Sequence, residues 1–405
     1  MIPLKQKSST SIEVIAGIEP SRILLRPTKP YSEDAISLLS KISNILLKDK
    51  NARTYPDVIS FAFWCRKSNL QRLEKNFESS HSCLGRGIVL HIAPSNVPVN
   101  FAFSLAFGLL SGNSNIVRLP TNKFDQQNII CKVFDEVWNS DTFKSFKLKN
   151  SVVRYGIDDQ ITASISSNCD ARLIWGGDLT VKKIRSLPVK PRAIDLCFAD
   201  RYSICVLDAD SIIRLERKML ERLVNGFFND TFLFDQDGCS SPHLVVWQGT
   251  TEKVDKAKNV FWDKLKAFVK NKHSFVSTHF VDKYMHLSRL ALSKEKFSWI
   301  KNEDNSIYRL VLNELPANIV EMRGRNGFFF EINDNKLEKV LAVLNDKYQT
   351  MTYFGVDPDM LTGYVVGSGA TGIDRIVPVG QAMDMDVFWD GFDIVKMISR
   401  VIIRR

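Results

Sequence analysis

No run in this 405-residue chain reaches the roughly 20 consecutive apolar residues that a membrane-spanning helix needs. The longest apolar stretch, Val97 to Leu110, has 14 residues and contains Pro98 and Asn100, so it reads as a buried helix. The N-terminus, MIPLKQKSSTSIEV, lacks the apolar core of a secretory signal, and a cytoplasmic protein is expected. The seven cysteines (Cys65, Cys83, Cys131, Cys169, Cys197, Cys205 and Cys239) include no CxxC. Their odd number and wide spacing argue against a disulfide framework and against a zinc site. The six histidines form neither HExxH nor HxxEH, so no catalytic metal is expected. Internal repeats and low-complexity tracts are also missing, and the Gly176-Gly177 turn is not part of a GxGxxG run.

What is present suits a soluble two-domain protein: 44% hydrophobic and 25% charged residues over a length sufficient for two cores. The net charge of +10 is spread along the chain, with modest clusters at Lys144–Lys149 and Lys253–Lys272. That distribution reads as solvated surface, not as a nucleic-acid face, and it also suits phosphate-rich small molecules.

A helix is expected at Tyr31–Lys48. Strand-like runs then recur at Ile88–Ile92, Asn115–Leu119, Val152–Tyr155, Ala171–Trp175 and Ser203–Leu207. Helical stretches at Val99–Leu110, Asp125–Asn139 and Thr180–Leu187 separate them, which predicts a mostly parallel sheet covered on both faces. A second α/β segment follows, with a helix at Ile212–Phe228, a loop at Asp235–Pro242, a strand at His243–Trp247 and a helix at Thr251–Val269. The expected division is 1–84 as an N-terminal segment, 85–209, 210–360, and 361–405 as a C-terminal segment. The closing apolar run, Phe392 to Ile403, reads as a terminal strand that pairs with another domain or subunit.

Three places carry chemistry. Asn96 lies in the polar loop after the first strand, where open α/β sheets bind ligands. Cys239, between Gly238 and Ser240-Ser241-Pro242, suits a tight turn that exposes its thiol; a small residue in a turn is the equal alternative. Gly176 and Gly177 join a strand to a helix, where backbone amides can approach a phosphate, with Asp178 read as the N-cap. Gly367 to Gly372 resembles a phosphate loop on paper, but with no strong helix signal after it and Pro378 soon following, a plain loop is the favoured reading. The Phe-rich stretches Phe101–Phe107 and Phe328–Phe330 read as core packing before any acyl tunnel.

Taken together, HIAPSNVPVNFAFSLAFGLLSGNSNIVRLP, WGGDLTVKKIRSLPVKPRAIDLCFADRYS, LFDQDGCSSP and GIDRIVPVGQAMDMDVFWDGFD resemble the aldehyde dehydrogenase superfamily. Within it they are most similar to the LuxC-type acyl-CoA (fatty acyl) reductases, over most of residues 85–400. The resemblance implies an α/β fold with a Rossmann-like cofactor domain, an α/β catalytic domain and a strand-rich oligomerisation element. It makes Cys239 the nucleophile and Asn96 an oxyanion donor. Gly176 and Gly177 would then lie under the cofactor pyrophosphate, with Arg118 near its ribose and Glu321, or next Glu331, on a ribose hydroxyl. NADPH is the implied cofactor and an acyl-CoA or carrier-bound acyl group the substrate. An acyl-protein synthetase partner and a homo-oligomer are implied too. Hydrolytic relatives carry a water-activating glutamate in Glu-Leu-Gly-Gly. Here the region reads Ile-Asp-Leu-Cys-Phe-Ala-Asp-Arg, which favours reduction over the alternative, NAD(P)-dependent oxidation of an aldehyde to an acid. Asp195 and Asp200 are the carboxylates that could substitute.

Overall fold

The computed structural model describes residues 12–77, 81–293, 297–300 and 305–404. Contacts divide it into two compact units, Met1–Ala199 with Met385–Arg405, and Asp200–Asp384. The first unit contains β1 (Glu13–Gly17), β2 (Ser82–Gly85), β3 (Ile88–Ile92), β4 (Ser114–Leu119), β5 (Asn150–Arg154), β6 (Ala171–Trp175) and β7 (Ile194–Phe198). All but β2 form one sheet in the order β1-β5-β4-β3-β6-β7, with β1 antiparallel and the others parallel. The chain moves outward from β3 through β4 to β5, then returns across β3 to β6. That reversal is the switch point at which doubly wound sheets open a crevice.

Among the described residues, eight α-helices precede the second unit. They are α1 (Glu33–Lys48), α2 (Pro56–Trp64), α3 (Lys67–Asn76), α4 (Asn100–Leu110), α5 (Asp125–Trp138), α6 (Lys144–Lys147), α7 (Asp159–Ser166) and α8 (Asp178–Arg185). Successive strand residues face opposite ways, so both sheet faces are apolar. Val89, Val117, Val152 and Leu173 pack with α1, α4 and α5; Leu90, Ile116, Val153 and Ile174 pack with α7 and α8. Every residue of α4 is buried. Gly108 within it has a plain reason: a Cβ there would stand 1.9 Å from Asn115 Oδ1.

The second unit holds β8 (Tyr202–Asp208), β9 (Pro242–Gln248), β10 (Phe297–Ile300), β11 (Tyr308–Leu312), β12 (Phe328–Asn333), β13 (Tyr348–Phe354) and β14 (Arg375–Pro378). Their order is β10-β11-β12-β9-β8-β13-β14, parallel except at the β10 edge. Its helices are α9 (Ala209–Ile213), α10 (Arg217–Thr231), α11 (Thr251–Lys272), α12 (Ser277–Ala291), α13 (Glu338–Leu341) and α14 (Pro358–Ser368). The helix expected at Ile212–Phe228 is therefore two helices, α9 and α10. Phe328 and Phe330 pack on one face of this sheet and Phe329 on the other, while Phe101, Phe103 and Phe107 are buried in the first unit's core.

The strand-like run at Ser203–Leu207 joins this second sheet, because β8 bonds to β9 and β13. The contact boundary accordingly falls at 199/200, where the alternation of strands and helices suggested 209/210. The last stretch divides at 384/385. Gly367 and Ser368 finish α14, and Gly369 closes it in the left-handed region with φ of 65°. The closing apolar run breaks up. It yields β16 (Phe392–Asp393), which pairs with β15 (Phe388–Trp389), then α15 (Ile394–Met397) and β17 (Ser399–Ile402). β17 pairs antiparallel with β2, leaving Val401, Ile402 and Ile403 exposed. Among the described residues no helix is long and apolar enough to cross a membrane.

Candidate functional site

Three of the expected residues sit at the carboxyl edge of the first sheet, about its switch point. Asn96 is exposed in the loop between β3 and α4, whose first residue Ala93 donates its N–H to the Arg118 carbonyl (3.1 Å). Gly176 and Gly177 leave β6, the neighbour of β3. Gly177, and not Asp178, is the N-cap of α8; Asp178 lies in the first turn, where a carboxylate meets the positive end of the helix. Gly177 has φ of −65°, so its backbone does not demand glycine. Its lack of a side chain leaves the space above the helix start open, with nothing within 4 Å of a Cβ position.

Arg118 is near the end of β4, over the Tyr155 ring at 5.0 Å, and one Nη reaches the Gly156 carbonyl at 3.4 Å. Its Nε is buried without a hydrogen-bond partner. A guanidinium N–H left so is a donor awaiting an acceptor.

A buried polar chain stiffens this edge from beneath. His91 bonds Ser104 Oγ (2.8 Å) and Asn115 Oδ1 (3.1 Å); Trp175 Nε1 donates to the same Ser104 (3.0 Å), and Asn115 donates to Asn150 Oδ1 (2.8 Å). Burial pushes the His91 pKa down to about 4, so the ring is neutral. The unfolded chain takes up that proton near pH 6.5, the folded one only near 4. The resulting stability is complete above pH 6.5 and is lost as pH falls toward 4, by about 1.4 kcal/mol per pH unit. Denaturant unfolding at a series of pH values should show this one-proton slope, and His91→Gln should lack it.

Cys239 lies in the second unit, half-exposed in the turn between α10 and β9. The turn begins with two left-handed residues that are not glycine, Asp235 (φ 51°) and Gln236 (φ 61°). Each such residue costs on the order of 1–2 kcal/mol, so something must hold it. Gln236 does, through four hydrogen bonds from a buried amide. Its Nε2 donates to the carbonyls of Pro242 (3.1 Å) and Phe328 (3.2 Å), and its Oε1 accepts from the N–H groups of Gly327 (2.8 Å) and Phe328 (3.0 Å). Ser203 Oγ donates to the Cys239 carbonyl at 2.7 Å. His243, three residues after Ser240, stacks on Tyr202 and is driven by burial, with nearby Arg323 second, to a pKa of about 3. It is neutral and buried, a support and not a base.

Gln236, Ser203 and His243 escaped the sequence reading, because a glutamine in the left-handed region leaves no local signature. Cys65, Cys131, Cys169 and Cys205 are buried, and burial raises every one of those thiols, Cys131 and Cys169 to about 12. Asp195 is held bidentately by buried Arg172 (2.7 and 2.6 Å), and Asp200 is paired with Arg323. Glu321 is exposed in a turn before β12. Glu331 is fully buried in β12 and faces Arg309, Trp247 and Trp262.

The chain matches the family described as Acyl-CoA reductase (LuxC) over residues 22–401, which reaches well into the N-terminal segment. A long-chain acyl-protein thioester reductase of Vibrio harveyi is 24% identical over 307 residues, covering 73% of this chain and 59% of the relative. One from Aliivibrio fischeri is 25% identical over 167 residues, 40% of this chain and 32% of the relative. The matches thus span less than two thirds of those relatives' lengths. Among solved structures, a Thermus 1-pyrroline-5-carboxylate dehydrogenase with bound NAD aligns with a TM-score of 0.63 at 12% identity, covering 91% of this chain and 80% of that one. An NAD-dependent benzaldehyde dehydrogenase from Corynebacterium glutamicum gives 0.61 at 12% identity, over 92% and 84%. These likenesses establish the aldehyde-dehydrogenase fold, and with the match over residues 22–401 the chain belongs to the LuxC family of acyl-CoA reductases.

Proposed function

We propose that this protein reduces an acyl thioester, as acyl-CoA or on a carrier protein, to an aldehyde through an acyl-enzyme on Cys239. The observation that carries the reading is the pairing of a half-exposed cysteine on a clamped turn with carboxylates already committed elsewhere. Asp195 and Asp200 are both held by arginines, so neither is poised as the base that would hydrolyse an acyl-enzyme. That weighs against the oxidative alternative.

The Cys239 thiolate attacks the acyl carbonyl, a C–S bond forms, and the donor thiol leaves with the electron pair of the bond that breaks. Asn96 and the Cys239 backbone N–H stabilise the oxyanion of that addition. Gly176 and Gly177, at the start of α8, would hold a dinucleotide pyrophosphate, with the unpartnered Arg118 Nε and exposed Glu321 toward its ribose. A reduced nicotinamide bound there, NADPH in this reading, would supply the hydride that reduces the thioester; collapse of the resulting thiohemiacetal alkoxide would free the aldehyde and the Cys239 thiolate. Glu331 has no such role, being enclosed by its own partners.

We place the reaction in the cytoplasm, among reduced thiols. An acyl-protein synthetase would deliver the substrate, and a homo-oligomer would form through the exposed ribbon of β2 and β17. Nucleic acid has no part.

Purified protein mixed with acyl-CoA and NADPH should give aldehyde in step with NADPH consumed. Free acid from aldehyde and NADP+ in place of that result would overturn the reading. Asn96→Ala should lower kcat by about 10²–10³, the usual effect of losing one oxyanion donor, with KM little changed. Steady-state kinetics across acyl chain lengths tests this and the substrate range together.

A further inference from the structure

We propose that Asp235, His273 and His279 bind a first-row divalent transition ion of the zinc type, and so tie the loop that carries Cys239 to the junction of α11 and α12. His273 caps the C-terminus of α11, His279 lies in the first turn of α12, and Asp235 stands four residues before Cys239. One ligand atom from each of the three lies within 4.8 Å of the other two. No sequence pattern pointed here, because the carboxylate lies far from the histidines along the chain and the histidines do not fall at a familiar metal spacing.

Asp235 Oδ1, His273 Nε2 and His279 Nδ1 are each buried and lack a hydrogen-bond partner. His273 Nε2 and Asp235 Oδ1 come within 3.1 Å, yet without the alignment of a hydrogen bond. Phe275 packs its ring 4.4 Å from His273, and Phe232 lies 5.5 Å away, so an apolar wall stands beside the polar atoms. Buried polar groups in such a setting need a partner.

Two imidazole nitrogens and a carboxylate oxygen select zinc and its first-row neighbours over magnesium or calcium, which prefer all-oxygen sites. Ligand atoms around a tetrahedral zinc lie about 3.3 Å apart, given bonds of about 2.0–2.1 Å, so side-chain rotation suffices to close the set. A fourth position remains for water. Asp237 adds negative charge nearby but is paired with Arg325 at 2.8 Å. The site stands whether or not the reductase reading does.

The test uses the full chain, stripped with a chelator, dialysed against zinc and assayed by elemental analysis, with cobalt(II) absorption as a second readout. One equivalent of zinc per chain, a raised Tm, and loss of both in His279→Ala and in Asp235→Asn are expected; asparagine tolerates the left-handed backbone, and circular dichroism confirms that each variant is folded. Cys239→Ala should keep the equivalent. No stoichiometric zinc, or binding that survives in both ligand variants, or loss of binding with Cys239, would overturn the proposal.

Discussion

Cys239→Ala should abolish aldehyde formation, lowering turnover by a factor on the order of 10⁴–10⁶, as loss of a covalent nucleophile does. Five of the six other described cysteines are held protonated by burial. Four are buried with raised thiol pKa values, and Cys197, in β7, is also raised by its partial burial. The thiolate is the attacking species, so a thiol held protonated in an apolar setting is inert. Mass spectrometry after incubation with acyl-CoA alone should find the acyl group on Cys239 in the parent protein and on nothing in the variant. Cys83→Ser and Cys197→Ser should remain active. Dinucleotide binding should persist in Cys239→Ala, because Gly176, Gly177 and Arg118, which would hold the pyrophosphate and ribose, belong to the first unit. Undiminished aldehyde production by the alanine variant would end the nucleophile assignment.

Glu331→Ala should unfold the second unit far more readily, by about 3–5 kcal/mol, the cost of stranding a buried charge. Glu331 is completely buried and receives Arg309 Nε at 2.6 Å, Trp247 Nε1 at 2.8 Å and Trp262 Nε1 at 3.1 Å, with Lys258 Nζ at 3.9 Å. Arg309 also lies over the Trp262 ring, 4.9 Å from its centre. Removing the carboxylate leaves that guanidinium uncompensated in a core of aromatic rings. Glu331→Gln should recover part of the loss, since an amide oxygen still accepts an indole N–H, but not the ion pair. Denaturant unfolding measures both variants. Unchanged stability with a raised KM for the cofactor would instead make Glu331 the ribose carboxylate that the resemblance suggested.

The fate of that residue shows where sequence reading stops. Nothing local separates Glu321 from Glu331, a few residues along the same segment; one is exposed in a turn and the other is enclosed by four side chains from other elements. The strands at Ile88–Ile92 and Ala171–Trp175 match the expected bounds because apolar runs of that length, bounded by turn residues, have no competing solution. The closing run from Phe392 to Ile403 did not read correctly as a single strand. Its apolar content is shared among a hairpin strand, a helical turn and β17, and apolarity alone does not distinguish them.

Periodicity and motif were enough for the α/β class, the family, the carboxyl-edge loop with Asn96, the strand-to-helix junction at Gly176–Gly177 and the turn that holds Cys239, since each rests on neighbours within a few residues. Three-dimensional packing was needed for the membership of β8 in the second sheet, the four-bond clamp by Gln236, the burial of His91 and Glu331, and the meeting of Asp235 with His273 and His279. Those features are made by hydrogen bonds and side-chain contacts between residues tens of positions apart, and no local pattern records such partners.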